Sequence, residues 1–286
     1  MRSRLLTGIL LMGLAACGGD GAPPEDEGAD VTMASAAPRE VRFTATDFAF
    51  EGPATVESGM TTLVLANQGE TLHHLQLVRL SDGKSTEDFM TVMGTLQPGD
   101  PLPEWAAFAG GVNPPDPGAE ARVTMLLEAG EYAVICLVDT PDFVPHLMKG
   151  MVTPLTVTAS SAPATEAPAT DLALTMTDYA FAFSAPLTAG QHVIRVDNAG
   201  PQPHEIVFFR LHEGKTMDDF MQFSQTYEGP LPASAVGGVP GMDVGQVAYV
   251  HVDFTPGEYV ALCFFPDSGD GKIHAEHGMV MQFQVS

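Results

Sequence analysis

Short runs of alternating apolar and polar residues recur along most of the chain. Residues 41–46 alternate in this way, and residues 172–177 repeat the pattern. An alternation with period two predicts half-buried β-strands. Further strands are predicted at 62–67, 75–80, 122–127, 131–137, 152–157, 192–198, 206–211, 248–254, 258–264 and 280–285. Many short strands at this spacing predict an all-β protein made of sandwiches or barrels.

Two inserts break the strand pattern. Ser85-x-x-Asp88 and Thr216-x-x-Asp219 each place an N-cap residue before an acidic first turn, which predicts the start of a helix. The stretches 99–118 and 229–245 are rich in glycine and proline, and they are predicted to be long surface loops.

The chain contains an internal repeat. Thr46-Asp-Phe-Ala-Phe50 recurs 131 residues later as Thr177-Asp-Tyr-Ala-Phe181, and Asn67-x-Gly69 recurs as Asn198-x-Gly200 at the same shift. Further matches follow at shifts of 127 and 128 residues. Because so many matches need so few gaps, we predict two copies of one domain. The predicted domains are 40–158 and 171–286, joined by an extended Ala/Pro/Ser/Thr linker at 159–170.

The N-terminus has the features of an export signal. Residues 1–16 combine two arginines, a short apolar run and small residues before Cys17, which is typical of a signal peptide. Leu14-Ala-Ala-Cys17 resembles the lipobox of bacterial lipoproteins, which implies lipid attachment at Cys17. The alternative is an ordinary secretory signal with a chance cysteine. Residues 17–39 are poor in large apolar side chains and are predicted to be a disordered tether.

The net charge and the number of cysteines limit the kinds of partner and ligand that the chain can have. A net charge of −24 argues against nucleic acid and anionic lipid surfaces, and it fits either simple solvation or docking of a basic partner protein. Besides Cys17 the chain has only Cys136 and Cys263, one in each copy. That number makes a poor disulfide framework, but it supplies one thiolate ligand per domain.

Each copy ends in the same set of chemistry-bearing residues. Gly130-Glu-Tyr-Ala-Val-Ile-Cys136 continues to His146 and Gly150-Met151, and Gly257-Glu-Tyr-Val-Ala-Leu-Cys263 continues to His274 and Gly278-Met279. A further histidine follows each Asn-x-Gly turn, at His73 and His204. This pattern resembles the blue-copper (cupredoxin) family nearly end to end in both copies.

The resemblance implies two tandem cupredoxin-like Greek-key β-sandwiches, each with a helix and loop insertion. It also implies copper held by two histidines, one cysteine and a weak methionine in each domain. The implied metal ligands are His73, Cys136, His146 and Met151 in the first copy, and His204, Cys263, His274 and Met279 in the second. Such a donor set suits both oxidation states of copper, which is the requirement of an electron-transfer site.

Other interpretations remain open at this stage. Nine residues separate Cys136 from His146, and ten separate Cys263 from His274, so a more open site, another ligand set or no metal are alternatives. The cysteines could be buried hydrophobes or form a disulfide, the histidines could be turn or loop residues, and the methionines could be core. His74, Met148 and His277 are spare candidates without a counterpart of the same type in the other copy.

Three functional classes follow. We expect a copper protein for electron transfer at the bacterial cell envelope, periplasmic or at the cell surface, with the outer membrane preferred because Gly18 follows Cys17. The alternatives are copper buffering or chaperoning without electron transfer, and a metal-free scaffold. We predict no enzyme, because the chain contains neither His-x-His nor His-Cys-His, which the multicopper cupredoxin enzymes require.

Overall fold

The computed structural model describes residues 37–97 and 99–286 of the chain. The predicted signal peptide 1–16, the lipid attachment residue Cys17 and nearly all of the tether 17–39 lie outside the described residues. The described part is mostly strand, so the all-β class predicted from the sequence is confirmed. No helix in this part has both the length and the apolar character needed to cross a membrane.

Six strands of the first half overlap those predicted from the alternation, and β2, β3 and β6 were not predicted. The elements are β1 (Arg39–Thr46), β2 (Ala49–Glu51), β3 (Thr55–Glu57), β4 (Gly59–Asn67), β5 (Leu75–Leu80), α1 (Thr86–Met93), β6 (Ala106–Val112), β7 (Glu120–Leu127), β8 (Gly130–Ile135) and β9 (Val152–Thr158). A short 3-10 helix, His146–Lys149, precedes β9.

The second half repeats this order. Its elements are β10 (Leu172–Thr177), β11 (Ala180–Phe183), β12 (Gly190–Asn198), β13 (His204–Leu211), α2 (Met217–Thr226), β14 (Ala233–Met242), β15 (Val247–Phe254), β16 (Gly257–Leu262) and β17 (Val280–Val285). The 3-10 helix His274–His277 precedes β17. Residues 159–170, between the halves, contain no helix or strand.

Two large sheets run through both halves. The strand order is β11-β10-β12-β15-β7-β4-β1-β2 in one sheet and β17-β16-β13-β14-β6-β5-β8-β9-β3 in the other. Successive strands of each half cross repeatedly between the sheets, as in a Greek-key sandwich. The halves are joined by antiparallel pairing of β7 with β15 and of β6 with β14. The two halves are therefore parts of one compact unit.

One apolar core lies between the sheets and extends through both halves. It contains Phe43 and Leu65 from the first half and Ile194 and Phe208 from the second, all essentially without exposed surface. Burial of such side chains is the dominant favourable contribution to folding, at about 25 cal/mol per Å² of apolar surface.

The two helices cover the outer face of the nine-stranded sheet. Phe89 of α1 and Phe220 of α2 are buried in two satellite apolar clusters. The predicted helix starts are confirmed: Ser85 and Thr216 are N-caps, and each forms a capping box with the aspartate three residues later.

The prediction of surface loops at 99–118 and 229–245 was wrong over much of its length. Both stretches contain a largely buried strand, β6 and β14, and these strands join the two halves. Their glycines are required by close packing: a Cβ at Gly111 would lie 1.9 Å from the Leu75 carbonyl oxygen, and one at Gly238 would lie 2.0 Å from that of Ile206. The glycines therefore indicate close backbone approach within a sheet.

Candidate metal centres

In the first half, three of the predicted ligands come together from separate elements. Cys136 follows β8 directly, His146 begins the 3-10 helix, and His73 lies two residues before β5. The Nδ1 atoms of His73 and His146 are 3.0 Å apart, and Cys136 Sγ lies 3.5 Å from His146 Nδ1. All three ligand atoms lie within 4.8 Å of one another. We call this group the first centre.

The second half builds the same group, which we call the second centre. His204 Nδ1 lies 3.0 Å from His274 Nδ1, and Cys263 Sγ lies 3.3 Å from His274 Nδ1. Ligands at about 2.0–2.3 Å from one ion are themselves roughly 3–4 Å apart. In both groups the two distances measured from the second histidine match this spacing. The two cysteines of the described chain are free, with no disulfide between them.

The long segment between cysteine and second histidine closes on itself. In the first half His146 N–H donates to the Val138 carbonyl, and Leu147 N–H donates to that of Cys136. In the second half His274 N–H donates to the Phe265 carbonyl. These hydrogen bonds join the two ends of the loop, and we call them its neck. The residues between the two ends loop outward, so the cysteine and histidine donors stay close together. The additional loop length therefore leaves the donor geometry intact.

The first histidine of each centre is positioned by the Asn-x-Gly turn. Asn67 Oδ1 accepts the N–H of Gly69, while its Nδ2 donates to the Thr71 and Pro115 carbonyls. A Cβ at Gly69 would lie 2.4 Å from His73 Nε2, so only glycine leaves room for the ring. Asn198 and Gly200 repeat this arrangement beside His204.

A carboxylate orients each of these rings, and sequence reasoning missed it. His73 Nε2 lies 2.5 Å from Asp47 Oδ1, and His204 Nε2 lies 2.9 Å from Asp178 Oδ1. A ring that donates from Nε2 presents the Nδ1 lone pair to the centre, which is the tautomer that a metal requires. The signal that could have found it is the repeated Thr-Asp-aromatic-Ala-Phe motif, which contains Asp47 and Asp178.

The methionines lie beside the other donors, held by their backbones. Met151 N–H donates to the His146 carbonyl, and the Met151 carbonyl accepts the N–H of Cys136. Met279 makes the same pair of bonds with His274 and Cys263. All eight predicted ligands are fully buried. Coordination by the two thioethers stays a prediction.

Burial shifts the titration of every donor toward its neutral form. It raises the pKa of the Cys136 thiol to about 12 and that of Cys263 well above its ordinary value. It lowers the pKa of His146 and of His274 to about 4. Because the imidazoles are neutral near pH 7, their nitrogen lone pairs are free to bind a cation, whereas each thiol must lose a proton.

The spare candidates lie outside the two centres. Met148 is about half exposed. His277 Nε2 lies 3.1 Å from Asp270 Oδ1, and these two residues form a third acidic group with Asp267, whose oxygens already accept several hydrogen bonds. His74 Nε2 accepts the N–H of Leu137 beside the first centre.

Comparison with known proteins gives remote structural likeness only. No protein-family model and no curated protein matches the chain. A multicopper oxidase structure has 14% identity and a TM-score of 0.25, and the match covers 87% of this chain and 89% of that one. Reduced auracyanin from Roseiflexus castenholzii has 18% identity and a TM-score of 0.30, over 40% of this chain and 94% of that one.

A copper nitrite reductase from Nitrosomonas europaea has 12% identity and a TM-score of 0.26, and the match covers 87% of this chain and 94% of that one. Likeness at this level carries no inference about activity. The chemistry of this chain is carried by its own two groups of donors, each of which is able to bind a metal ion.

Proposed function

We propose that the chain binds one copper ion in each half and uses the pair for electron transfer. The observation behind this proposal is the convergence of one cysteine sulfur and two imidazole nitrogens in both halves. The Nδ1 atom of the second histidine lies 3.0 Å from that of the first and 3.3–3.5 Å from the sulfur, and all three ligand atoms lie within 4.8 Å of one another. A thiolate with two imidazoles and a weak thioether is the donor set of blue-copper sites. The residues that would hold the metal are those predicted from the sequence, with Met151 and Met279 as the weak ligands.

The burial of the donors supports electron transfer. All the predicted ligand residues are fully buried, so a metal held by them would be shielded from substrates in solution. The carboxylates of Asp47 and Asp178, together with the backbone bonds of the loop neck, hold the donors in place before metal binds. A preformed donor set changes little between oxidation states, which favours exchange of an electron over bond-making chemistry. We therefore propose a carrier and not an enzyme.

We further propose that the protein is a lipoprotein of the bacterial envelope. The support is the lipobox-like sequence ending at Cys17 and the acidic tether that follows. The net charge of −24 favours a basic redox partner over nucleic acid. Metabolic labelling with a radioactive fatty acid, with Cys17→Ala as control, tests the anchor. Equal labelling of both proteins, or labelling of neither, contradicts it.

Copper loading tests the central proposal. The mature chain is incubated with Cu²⁺, excess metal is removed, and copper per chain is measured together with the visible spectrum. We expect two copper ions and an intense thiolate-to-copper band. Cys136→Ser and Cys263→Ser should each remove one copper and about half of the band, because each deletes one thiolate.

Met148→Leu is the matched control, since this sulfur is exposed and lies outside both predicted ligand sets. It should keep two copper ions and the full band. A chain that retains no copper contradicts the proposal and leaves the metal-free scaffold. A colourless chain that binds reduced copper through the same cysteines selects copper buffering instead.

A further inference from the structure

The second histidine of each centre has one ring nitrogen that makes no hydrogen bond. Nε2 of His146 and Nε2 of His274 are both buried, and neither has a hydrogen-bond partner among the described residues. In the second half a carboxylate lies near this atom, with Asp267 Oδ2 at 3.8 Å from His274 Nε2. At this distance the two groups interact through charge and not through a hydrogen bond. Within the described chain, the ion pairs that involve a histidine include none with His146.

Four hydrogen bonds hold the Asp267 carboxylate in place and keep it ionised. Its Oδ2 accepts the Tyr179 hydroxyl at 2.6 Å and Gln202 Nε2 at 2.9 Å. Its Oδ1 accepts the N–H of Gly269 at 2.8 Å and that of Asp270 at 3.2 Å. These donors, the Tyr179 hydroxyl first among them, hold the pKa of Asp267 well below its ordinary value. The second centre therefore has a fixed negative charge close to one of its imidazoles.

The first half lacks this arrangement. Thr140 stands where the second half has Asp267, because each is the fourth residue after the cysteine. Thr140 carries no charge, and its hydroxyl donates to the Val144 carbonyl of its own loop at 2.8 Å. Phe48 takes the place of Tyr179 in the repeated motif and has no hydroxyl to hold a carboxylate. The aspartate on the first imidazole is present in both halves, so it does not distinguish the two centres.

We propose that Asp267 lowers the reduction potential of copper in the second centre below that of copper in the first. Oxidation adds one positive charge to the metal and its ligands, and a fixed carboxylate nearby stabilises the more positive state. An electron shared between the two centres therefore resides in the first, and the second acts as the donor. In this exchange the second copper is oxidised from Cu⁺ to Cu²⁺ while the first is reduced from Cu²⁺ to Cu⁺, and no bond breaks. This inference rests on the proposed function, because it requires copper in both halves.

Glu205 is a second difference between the centres, since it precedes β13 residue Ile206 where the first half has His74 before β5. Its backbone N–H donates to Cys263 Sγ at 3.4 Å, and its carboxyl group accepts the N–H of Phe264 at 2.9 Å. The effect of one carboxyl group must therefore be separated from that of the other. The experiment does so by comparing the second centre with and without the carboxylate near His274, while Glu205 stays unchanged.

Redox titration of single-copper variants tests the inference. Cys136→Ser leaves copper only in the second centre, and Cys263→Ser leaves it only in the first. The midpoint potential of each variant is read from the thiolate-to-copper band, and we expect the lower potential in Cys136→Ser. Adding Asp267→Asn to Cys136→Ser should raise that potential, because the amide keeps the shape of the side chain and removes its charge.

Separate affinities for Cu²⁺ and Cu⁺ distinguish an electrostatic role from a structural one. In Cys136→Ser, Asp267→Asn should weaken binding of Cu²⁺ more than that of Cu⁺, so that the ratio of the two affinities falls on the order of tenfold. Loss of a merely structural residue weakens both alike and leaves the potential unchanged. Asp253→Asn in the same background is the matched control, because exposed Asp253 pairs with Gln191 at the end of β12 away from Asn198. It should leave the potential unchanged.

A reciprocal change tests the inference if Asp267→Asn does not fold. Phe48→Tyr with Thr140→Asp in Cys263→Ser gives the first centre the missing hydroxyl and carboxylate, and it should lower the potential of that centre. An unchanged potential in either variant, with one copper ion bound, overturns the inference. So does a potential in Cys136→Ser that equals or exceeds that in Cys263→Ser. A wild-type chain that holds no copper contradicts the proposed function itself, so copper content separates the two failures.

Discussion

The two centres share their donors and differ in what surrounds them. Both bring two Nδ1 atoms to 3.0 Å, and both place an aspartate on the first imidazole. The residues that surround these groups differ between the halves. The ring of His146 contacts Phe48, whereas that of His274 contacts Tyr179, whose hydroxyl donates to Asp267.

The same divergence appears on the side facing the other half. His74 stands beside the first centre and Glu205 occupies the equivalent position at the second. The same backbone hydrogen bonds recur in both halves, so the repeated turns fix the positions of the donors. The residues around the donors differ between the halves as single side chains, and such residues tune a metal site without changing its ligands.

The largest expected effect follows from the opposite titration of His74 and Glu205. Burial raises the pKa of Glu205 from 4.5 to about 7, so the folded state holds its proton more tightly than the unfolded state. With respect to this group, the free energy of unfolding is highest below pH 4.5, and it falls as the pH rises through about 7. The shift corresponds to roughly 3 kcal/mol. Glu205→Gln should therefore stabilise the copper-free protein by up to this amount at pH 8.

His74 should show the reverse slope. Burial lowers its pKa from 6.5 to about 3, so the unfolded state binds the extra proton and stability falls as pH drops below 6.5. His74→Gln, which keeps an acceptor for the Leu137 N–H, should reduce that acid loss. Denaturant unfolding of both variants and wild type between pH 4 and pH 8 measures the differences. Parallel curves for the wild type and either variant would contradict the assignment.

Metal affinity should depend on pH in the same way in both centres. Each buried thiol releases one proton on binding copper, and the imidazoles are already neutral above pH 7. Raising the pH from 7.5 to 9.5 should therefore tighten binding by about tenfold per unit, roughly a hundredfold in all. Competition titration of the single-copper variants Cys136→Ser and Cys263→Ser checks each centre. A flat profile in either would show that its sulfur does not bind as thiolate.

The orienting aspartates should act each on its own half. Asp47→Asn and Asp178→Asn remove the carboxylate that holds the first imidazole, and loss of such a partner typically weakens metal binding by about 10–100-fold. Copper competition should show the loss only in the half that carries the change. Asp82→Asn, an exposed aspartate after β5, is the control. Equal weakening of both centres by one variant would mean that the effect is on folding.

The smallest expected effect lies in the two capping boxes. Ser85→Ala and Thr216→Ala remove the side chain that accepts the N–H of Asp88 and of Asp219. Each change should lower the free energy of unfolding by about 1 kcal/mol, with copper content unchanged. Thermal unfolding with metal analysis tests this. A loss of copper in either variant would contradict this prediction and would show that the helix stabilises the metal centre of its half.

Much of the fold could be predicted because alternation in the sequence reflects burial on one face of a strand. This holds for β1 and β10, where every second side chain points to the core. It failed at β6 and β14, whose glycines carry no apolar pattern and are needed for close approach between strands. The pairing of these strands across the halves could not be predicted either, since it depends on contacts between residues far apart in the chain.

The sequence by itself determined the repeat, most of the strands, and the two histidines and one cysteine that each half brings together. It could do so because cysteine and histidine are rare here and recur at matched positions. Only the tertiary structure decided that the long cysteine–histidine segments close at a neck, that Asp47 and Asp178 lie on the first imidazoles, and that β6 and β14 pair across the halves. Each of these depends on distances across the fold, which no local pattern of residue types encodes.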